Sequence, residues 1–425
     1  MKLFTTLITI AAAAAPVIAF AGPYASRGAS DPVPGKYIIQ LKPETDVASI
    51  AAHHSKVRSI RARNLRRRNG YSSAGIGLER EFCIGSFKAY AGSFDKSTIE
   101  ELKALPEVLV VEQDYFMHTN ALVTQEVAPW GLARISSRVK GATAYIYDKS
   151  AGNGTFSYVV DTGIRATHLD FGGRVIWGYN AVANTTDTDN QGHGTHVSGI
   201  IGGTTYGVAK KTSLVAVKVF EGTTGTASTV IAGFEWATND IVSKGRQNTA
   251  VINMSLGGKA SVTWDAAVTA AWEKGVLAVV AAGNENRLAS TDSPARSPEV
   301  ICVGNTQIDD SRYPGPTGSN YGDAIDIWAP GTNITSTYSS SDNATARLTG
   351  TSMASPHVAG LVSYLRGLEG PSAAADVRAR VLQLGTPGVV TDTMNSTNLL
   401  AFNENDKQAA NETLKVRHMH RVRHW

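Results

Sequence analysis

The sequence predicts two folded units, a small α+β module followed by a large α/β domain whose mostly parallel sheet is covered by helices on both faces. Three observations carry this reading. From Pro129 onward, short and wholly apolar strand-like runs alternate with longer stretches of helical spacing, the pattern of strands buried on both faces of a parallel sheet. Before that point, strands and helices follow one another in a βαββαβ-like succession, which suits a compact α+β unit. The length of 425 residues is too great for one average domain but fits a large α/β unit with a small partner.

The small module opens on Pro34-Gly35-Lys36-Tyr37-Ile38-Ile39-Gln40-Leu41, whose alternation reads as a strand, and Val47 to His54 reads as a helix. Residues 58–77 are basic and Ser/Gly-rich, which reads as a solvated loop between halves. Ser86 to Phe94 alternates again, Ser97 to Leu105 is a short helix, and Val108 to Glu112 is a further strand. In the large domain, strands are expected at 156–160, 214–219, 250–254, 276–281, 300–304 and 324–328. Helices are expected at 194–201, 228–242 and 263–273, and a last one beginning near Ser352. Pro356 is read as belonging to the first turn of that helix, where its missing N–H costs nothing.

Composition narrows the class. A chain 42% hydrophobic and 18% charged is globular. Its net charge of +4 comes from clusters such as Arg61-Ala62-Arg63 and Arg66-Arg67-Arg68 and from Arg417, Arg421 and Arg423, while the large middle is near neutral. Nucleic acid is therefore not an expected partner. Met1-Lys2-Leu3, an apolar run from Leu7 to Phe20 and the closing Ala19-Phe20-Ala21 have the layout of a signal peptide over residues 1–21. The run is short for a membrane span, so secretion without an anchor is expected. Seven Asn-x-Ser/Thr sequons occur. Asn153, Asn184, Asn333, Asn343, Asn395 and Asn411 are candidates for glycosylation, whereas Asn253 lies in an apolar strand pattern.

Four stretches carry chemistry. Asp161 closes the run Tyr158-Val159-Val160, where a carboxylate either orients a histidine or caps a turn. In Gln191-Gly192-His193-Gly194-Thr195-His196, flanking glycines let the backbone bring His193 close to a partner. The two histidines as metal ligands are disfavoured, because no HExxH glutamate or matching ligand set accompanies them. Ala281-Ala282-Gly283 leads a strand out to Asn284, a donor suited to an oxyanion or an ordinary turn residue. In Gly350-Thr351-Ser352-Met353-Ala354, Ser352 stands at a helix start, whose exposed N–H groups and dipole suit a developing oxyanion. A plain capping serine is the alternative.

The order Asp161, His193, Ser352, with Asn284 between the last two, is the subtilisin order. The chain resembles the fungal subtilases of the proteinase K group, and the following motifs carry the resemblance. They are Val160-Asp161-Thr162-Gly163-Ile164, His193-Gly194-Thr195-His196, Ser255-Leu256-Gly257-Gly258, Ala282-Gly283-Asn284 and Gly350-Thr351-Ser352-Met353-Ala354. The stretches Ala128 to Arg134 and Asn398 to Phe402 bracket them. The resemblance implies a ferredoxin-like inhibitor and chaperone propeptide at 22–120, after the signal at 1–21, and a subtilisin-like peptidase domain at 121–403, which leaves a tail at 404–425. Processing would fall between Asn120 and Ala121.

It further implies a monomeric, broad-specificity serine endopeptidase acting on proteins and peptides without a catalytic cofactor. Asp161, His193 and Ser352 would form the triad, and Asn284 would serve the oxyanion. Ser255, Leu256 and Gly257 on one side and Gly225, Thr226 and Ala227 on the other would flank the substrate strand. Ala281, Ala282 and Gly283 would line the primary pocket. By the same resemblance one structural Ca2+ would be held by the Asp326 carboxylate and the carbonyls of Pro298 and Val300, while a second calcium site lacks its late aspartate. The group's usual cysteine bridges are also missing, since only Cys83 and Cys302 occur. The tail, with His418, His420 and His424, adds a stretch the resemblance does not cover. Two rivals are weaker: a binding protein that kept the fold but lost catalysis, and an esterase, whose G-x-S-x-G elbow is absent.

Overall fold

This computed structural model describes residues 32–67, 77–115 and 122–405. The signal segment, the expected cleavage point at Asn120–Ala121, Asn411 and the chain beyond 405 lie outside the described residues.

The first unit consists of β1 (Pro32–Leu41), α1 (Val47–Arg67), β2 (Leu78–Ile84), β3 (Phe87–Ser93), α2 (Lys96–Lys103) and β4 (Val108–Tyr115). Its antiparallel sheet has the order β2-β3-β1-β4. Ile39, Leu41 and Tyr90 from the sheet meet Val57, Ile60, Ile99 and Leu102 from the helices in one apolar cluster. The helix α1 is longer than the sequence suggests and takes in much of the basic stretch read as a loop. The reason is visible in its buried face: Val57, Ile60 and Asn64 recur at helical spacing. Arg63 between them turns outward to pair with Glu101.

The second unit begins with β5 (Leu122–Gln125), α3 (Trp130–Ile135) and β6 (Tyr145–Asp148). Its main sheet is laid down by β7 (Phe156–Asp161), β8 (Val175–Asn180), β9 (Ser213–Lys218), β10 (Ala250–Met254), β12 (Ala278–Ala281), β14 (Ile301–Thr306) and β15 (Ile327–Pro330). The short β18 (Thr386–Pro387) and β19 (Leu399–Leu400) complete its nine strands, in the order β18-β19-β15-β14-β12-β10-β7-β9-β8. All pairs are parallel except β18 with β19. Three small antiparallel pairs, β5 with β6, β11 (Gly258–Lys259) with β13 (Asp292–Ser293) and β16 (Ile334–Thr337) with β17 (Thr345–Leu348), lie outside it.

Strand periodicity splits the core into two layers. Val159, Ala216, Val251, Val279 and Val303 face α4 (His193–Gly202), α7 (Thr351–Leu368) and α8 (Ala374–Leu384). Their neighbours Tyr158, Val160, Val217, Ile252 and Val280 face α5 (Ala227–Ser243) and α6 (Val262–Glu273). Successive side chains point to opposite faces, so a strand buried on both sides is apolar throughout.

The expected strands and helices of this unit are present within a few residues of their predicted bounds. Among the elements not anticipated are β8, the β16–β17 hairpin, α8 and the short α3, β5, β6, β11, β13, β18 and β19. Cys83 is exposed and Cys302 buried, and neither forms a disulfide. Among the described residues no helix is long and apolar enough to cross a membrane. Asn153, Asn184, Asn333, Asn343 and Asn395 are exposed, whereas Asn253 is fully buried.

Candidate active site

In parallel sheets the chemistry gathers where strands end, because the loops there converge. The neighbouring strands β12, β10 and β7 deliver Asn284, Ser255 and Asp161 to one edge. Asp161 is the last residue of β7 and is buried. Its Oδ1 accepts the Thr162 N–H at 2.7 Å, and Oδ1 and Oδ2 lie 2.8 and 3.0 Å from His193 Nδ1. A carboxylate can only accept, so Nδ1 carries the proton and Nε2 is left with its lone pair.

His193 opens α4. Gly194 explains the close approach: a Cβ there would sit 2.2 Å from the Gly163 carbonyl oxygen and 3.1 Å from Asp161 Oδ1. The helix start is pinned by Asp189, which the sequence reading missed. Its buried carboxylate accepts the N–H groups of Gln191, Gly192 and Thr195 and the hydroxyls of Thr162 and Thr195. An acidic residue just ahead of a helix start is the signal that could have found it. Burial acts to lower the His193 pKa. The charge and hydrogen bond of Asp161, with the charge of Asp189 beyond, outweigh burial and hold that pKa above the ordinary histidine value.

His196, one turn on, is not part of this arrangement. It is buried with Nε2 against the carbonyls of Ile334 and Ala346, and burial pushes its pKa down to about 4.

Ser352 lies in the first turn of α7. Gly350 before it takes φ +154°, and a Cβ there would approach Asn284 Oδ1 to 3.4 Å. The helix begins at Thr351, so Pro356 sits beyond the first turn, contrary to the sequence reading. A proline there leaves the carbonyl four residues back without its helical donor. That carbonyl belongs to Ser352, and it accepts instead from Ser255 Oγ at 2.8 Å. Ser352 Oγ in turn donates to the Ser255 carbonyl at 3.2 Å. Asn253 holds the arrangement from behind, donating to Ser255 Oγ and accepting from Ser355 Oγ. No hydrogen bond joins Ser352 to His193, although both line one open pocket of about 210 Å³ with Gln191, Tyr338, Leu348 and Met353.

The Asn284 amide oxygen accepts both the Thr351 N–H, at 2.8 Å, and the Thr351 hydroxyl, at 3.0 Å. This fixes which end of the carboxamide is which and leaves Nδ2 as the available donor beside the Ser352 helix start. Nothing in the sequence singled out Thr351, whose value lies in this contact.

A family profile described as "Subtilase family" matches residues 152–401. The chain belongs to the subtilase family. As a subtilase it is a serine endopeptidase, and a second profile, "Peptidase inhibitor I9", matches residues 36–120 of its first unit. This subtilase is 52% identical over 377 residues to "Alkaline protease 1" of Aspergillus clavatus, covering 88% of this chain and 92% of that protein. It is 49% identical to the "Alkaline proteinase" of Hapsidospora chrysogena, over 88% of this chain and 92% of that one. Among solved structures, a cold adapted subtilisin-like serine proteinase matches with a TM-score of 0.61 at 38% identity, covering 66% of this chain and 100% of that one.

The remaining predicted positions fall as follows. Ser255 is buried, Leu256 half-buried and Gly257 exposed just past β10, while Gly225, Thr226 and Ala227 are exposed at the start of α5. Thr226 also caps α5, accepting the Thr229 N–H. Ala281 and Ala282 are buried and Gly283 is partly open. Of the residues expected to hold calcium, Asp326 Oδ1 and the Val300 carbonyl are both engaged by Arg378, and Pro298 is exposed.

Proposed function

We propose that this subtilase is secreted as an inactive precursor and cleaves extracellular proteins by acyl transfer from Ser352. The observation that carries this reading is the near-bidentate contact of His193 with buried Asp161 on the pocket that Ser352 also lines. Asp161 holds the tautomer in which Nε2 faces the pocket as a base. Ser352 Oγ turns from the Ser255 carbonyl to His193, gives up its proton and attacks the scissile carbonyl. The oxyanion is received by Asn284 Nδ2 and the Ser352 N–H at the helix start. His193 then passes the proton to the leaving amine, and water repeats the sequence on the acyl-enzyme.

Substrate lies extended between Ser255-Leu256-Gly257 and Gly225-Thr226-Ala227. The small residues Ala281, Ala282 and Gly283 leave the primary pocket open to varied apolar or aromatic side chains. The exposed sequons at Asn153, Asn184, Asn333, Asn343 and Asn395 carry the glycans expected on the secretory route.

One experiment tests the reading as a whole. A serine-reactive phosphonylating reagent is expected to abolish casein hydrolysis with one equivalent bound, recovered on the peptide containing Ser352. Label on another residue, or full activity after labelling of Ser352, contradicts it.

The oxyanion assignment makes a finer prediction. Asn284→Ala removes one donor and is expected to lower kcat about 10²–10³-fold with KM little changed, because the donor acts on charge that develops only in the transition state. A change confined to KM would show that Asn284 binds substrate instead.

The first unit supplies another prediction. Its chain end leads into the peptidase domain, so it can act as a product-like inhibitor and as a chaperone for folding. Purified residues 22–120 added at micromolar concentration are expected to slow the mature enzyme until the fragment is digested. Unchanged initial rates would remove its inhibitory role.

A further inference from the structure

A structural cation in a protein neutralises a carboxylate and gathers carbonyl oxygens from separate segments. In this chain a side chain stands among the same oxygens. Arg378, on α8, donates from Nη2 to Asp326 Oδ1 at 2.8 Å and from Nε to the Val300 carbonyl at 3.1 Å. The other carboxylate oxygen, Oδ2, accepts the Cys302 N–H at 2.9 Å, and the Asp326 N–H donates to the Cys302 carbonyl at 3.1 Å. Both oxygens of the carboxylate and one of the two expected carbonyls are therefore engaged.

Calcium requires about six to eight oxygen ligands at 2.3–2.6 Å. An ion placed here would have to displace the guanidinium or sit against its positive charge. The described residues also contain no group of three His, Cys, Asp or Glu side chains able to hold a metal.

We propose that Arg378 replaces the divalent cation at this position, so that this part of the fold holds without calcium. The guanidinium carries a permanent charge, and its planar fork presents two N–H groups in fixed relation. One contact reaches the approach to β14, the other the residue before β15, and the arginine itself belongs to α8. Three segments distant in sequence are thereby tied together by a covalently attached cation. Its presence does not depend on the free ion concentration, as a bound metal's would.

The test is thermal unfolding of the mature protein, inactivated beforehand with a serine-reactive reagent, in excess chelator and in millimolar CaCl2. The wild type and Asp326→Ala are expected to show the same difference between the two conditions, whatever calcium does elsewhere. Arg378→Ala is expected to melt about 3–8 °C lower than the wild type in chelator, since it leaves Asp326 without its partner. Calcium, able to reach the freed oxygens, is expected to recover part of that loss. Arg378→Lys, which keeps the charge without the fork, provides a milder variant should the alanine protein fail to fold, with a smaller loss expected. The proposal is overturned if calcium raises the wild-type melting temperature and Asp326→Ala removes that rise. It is equally overturned if neither Arg378 variant melts below the wild type in chelator.

Discussion

Ser352→Ala is expected to lower turnover on casein by about a million-fold and to leave the precursor uncut. The size follows from the proposed role, in which the hydroxyl forms the covalent bond and neither His193 nor Asn284 can replace it. The residual rate should reflect substrate positioning and the oxyanion donors alone. The variant should also fold, because the Oγ of Ser352 makes a single hydrogen bond, at 3.2 Å to the Ser255 carbonyl. The Ser352 carbonyl, which Ser255 satisfies, is untouched by the substitution. Intact-mass analysis of secreted protein and a casein assay read both results. Normal maturation together with normal digestion would exclude Ser352 as the nucleophile.

Asp161→Ala is expected to cost about 10⁴-fold in kcat/KM, less than loss of the nucleophile but more than loss of one oxyanion donor. Two effects combine. The His193 ring loses the acceptor that fixes its Nδ1–H tautomer, and in the proposed mechanism the imidazolium formed during attack loses its counter-charge. The pH profile separates this role from a merely structural one. His193 acts as a base only when neutral, so activity falls as pH drops through its pKa. With Asp161 present that pKa is raised, and the acid limb of kcat/KM should lie above the ordinary histidine value of about 6.5. Without Asp161 the burial that opposes the charged form is less countered, so the limb should move to lower pH. An acid limb unmoved in the variant would mean that His193 is not the titrating base.

The sequence made the sheet and its two helical layers legible because apolar runs of strand length are hard to mistake when they alternate with long helical stretches. It pointed to Asp161, His193, Asn284 and Ser352 because each stands at a strand end or a helix start and because their order along the chain matches the subtilisin order. The fold puts Asp161 against His193 and sets His193 and Ser352 on one pocket. What escaped were partnerships across the chain. Asp189 reads as one acid in a polar loop until five donors are seen around it. Pro356 suggests a first-turn residue, yet it stands deeper in α7 because Ser255, remote in sequence, satisfies the carbonyl it strands. Arg378 lies on a helix that periodicity alone did not reveal, so its meeting with Asp326 could not be read from either residue. The basic stretch near Arg63 concealed a helix because its charges drew attention from Val57, Ile60 and Asn64 on the opposite face.

The strand order has a consequence for how the molecule is made. β7 pairs with β10 across an intervening segment that holds β8, α4, β9 and α5, and β15 pairs with β19 only after α7 and α8. Such pairings close long loops before they gain any contact, which places the peptidase domain among slowly forming topologies. The first unit is the opposite case, with β2 and β3 joined by a tight hairpin and a core drawn from a short span of chain. It precedes the peptidase domain along the chain, so during synthesis it can be complete while the larger sheet is still unpaired. A protease whose unfolded form is also its own substrate has reason to shorten that interval, and the early unit precedes the strands whose assembly takes longest.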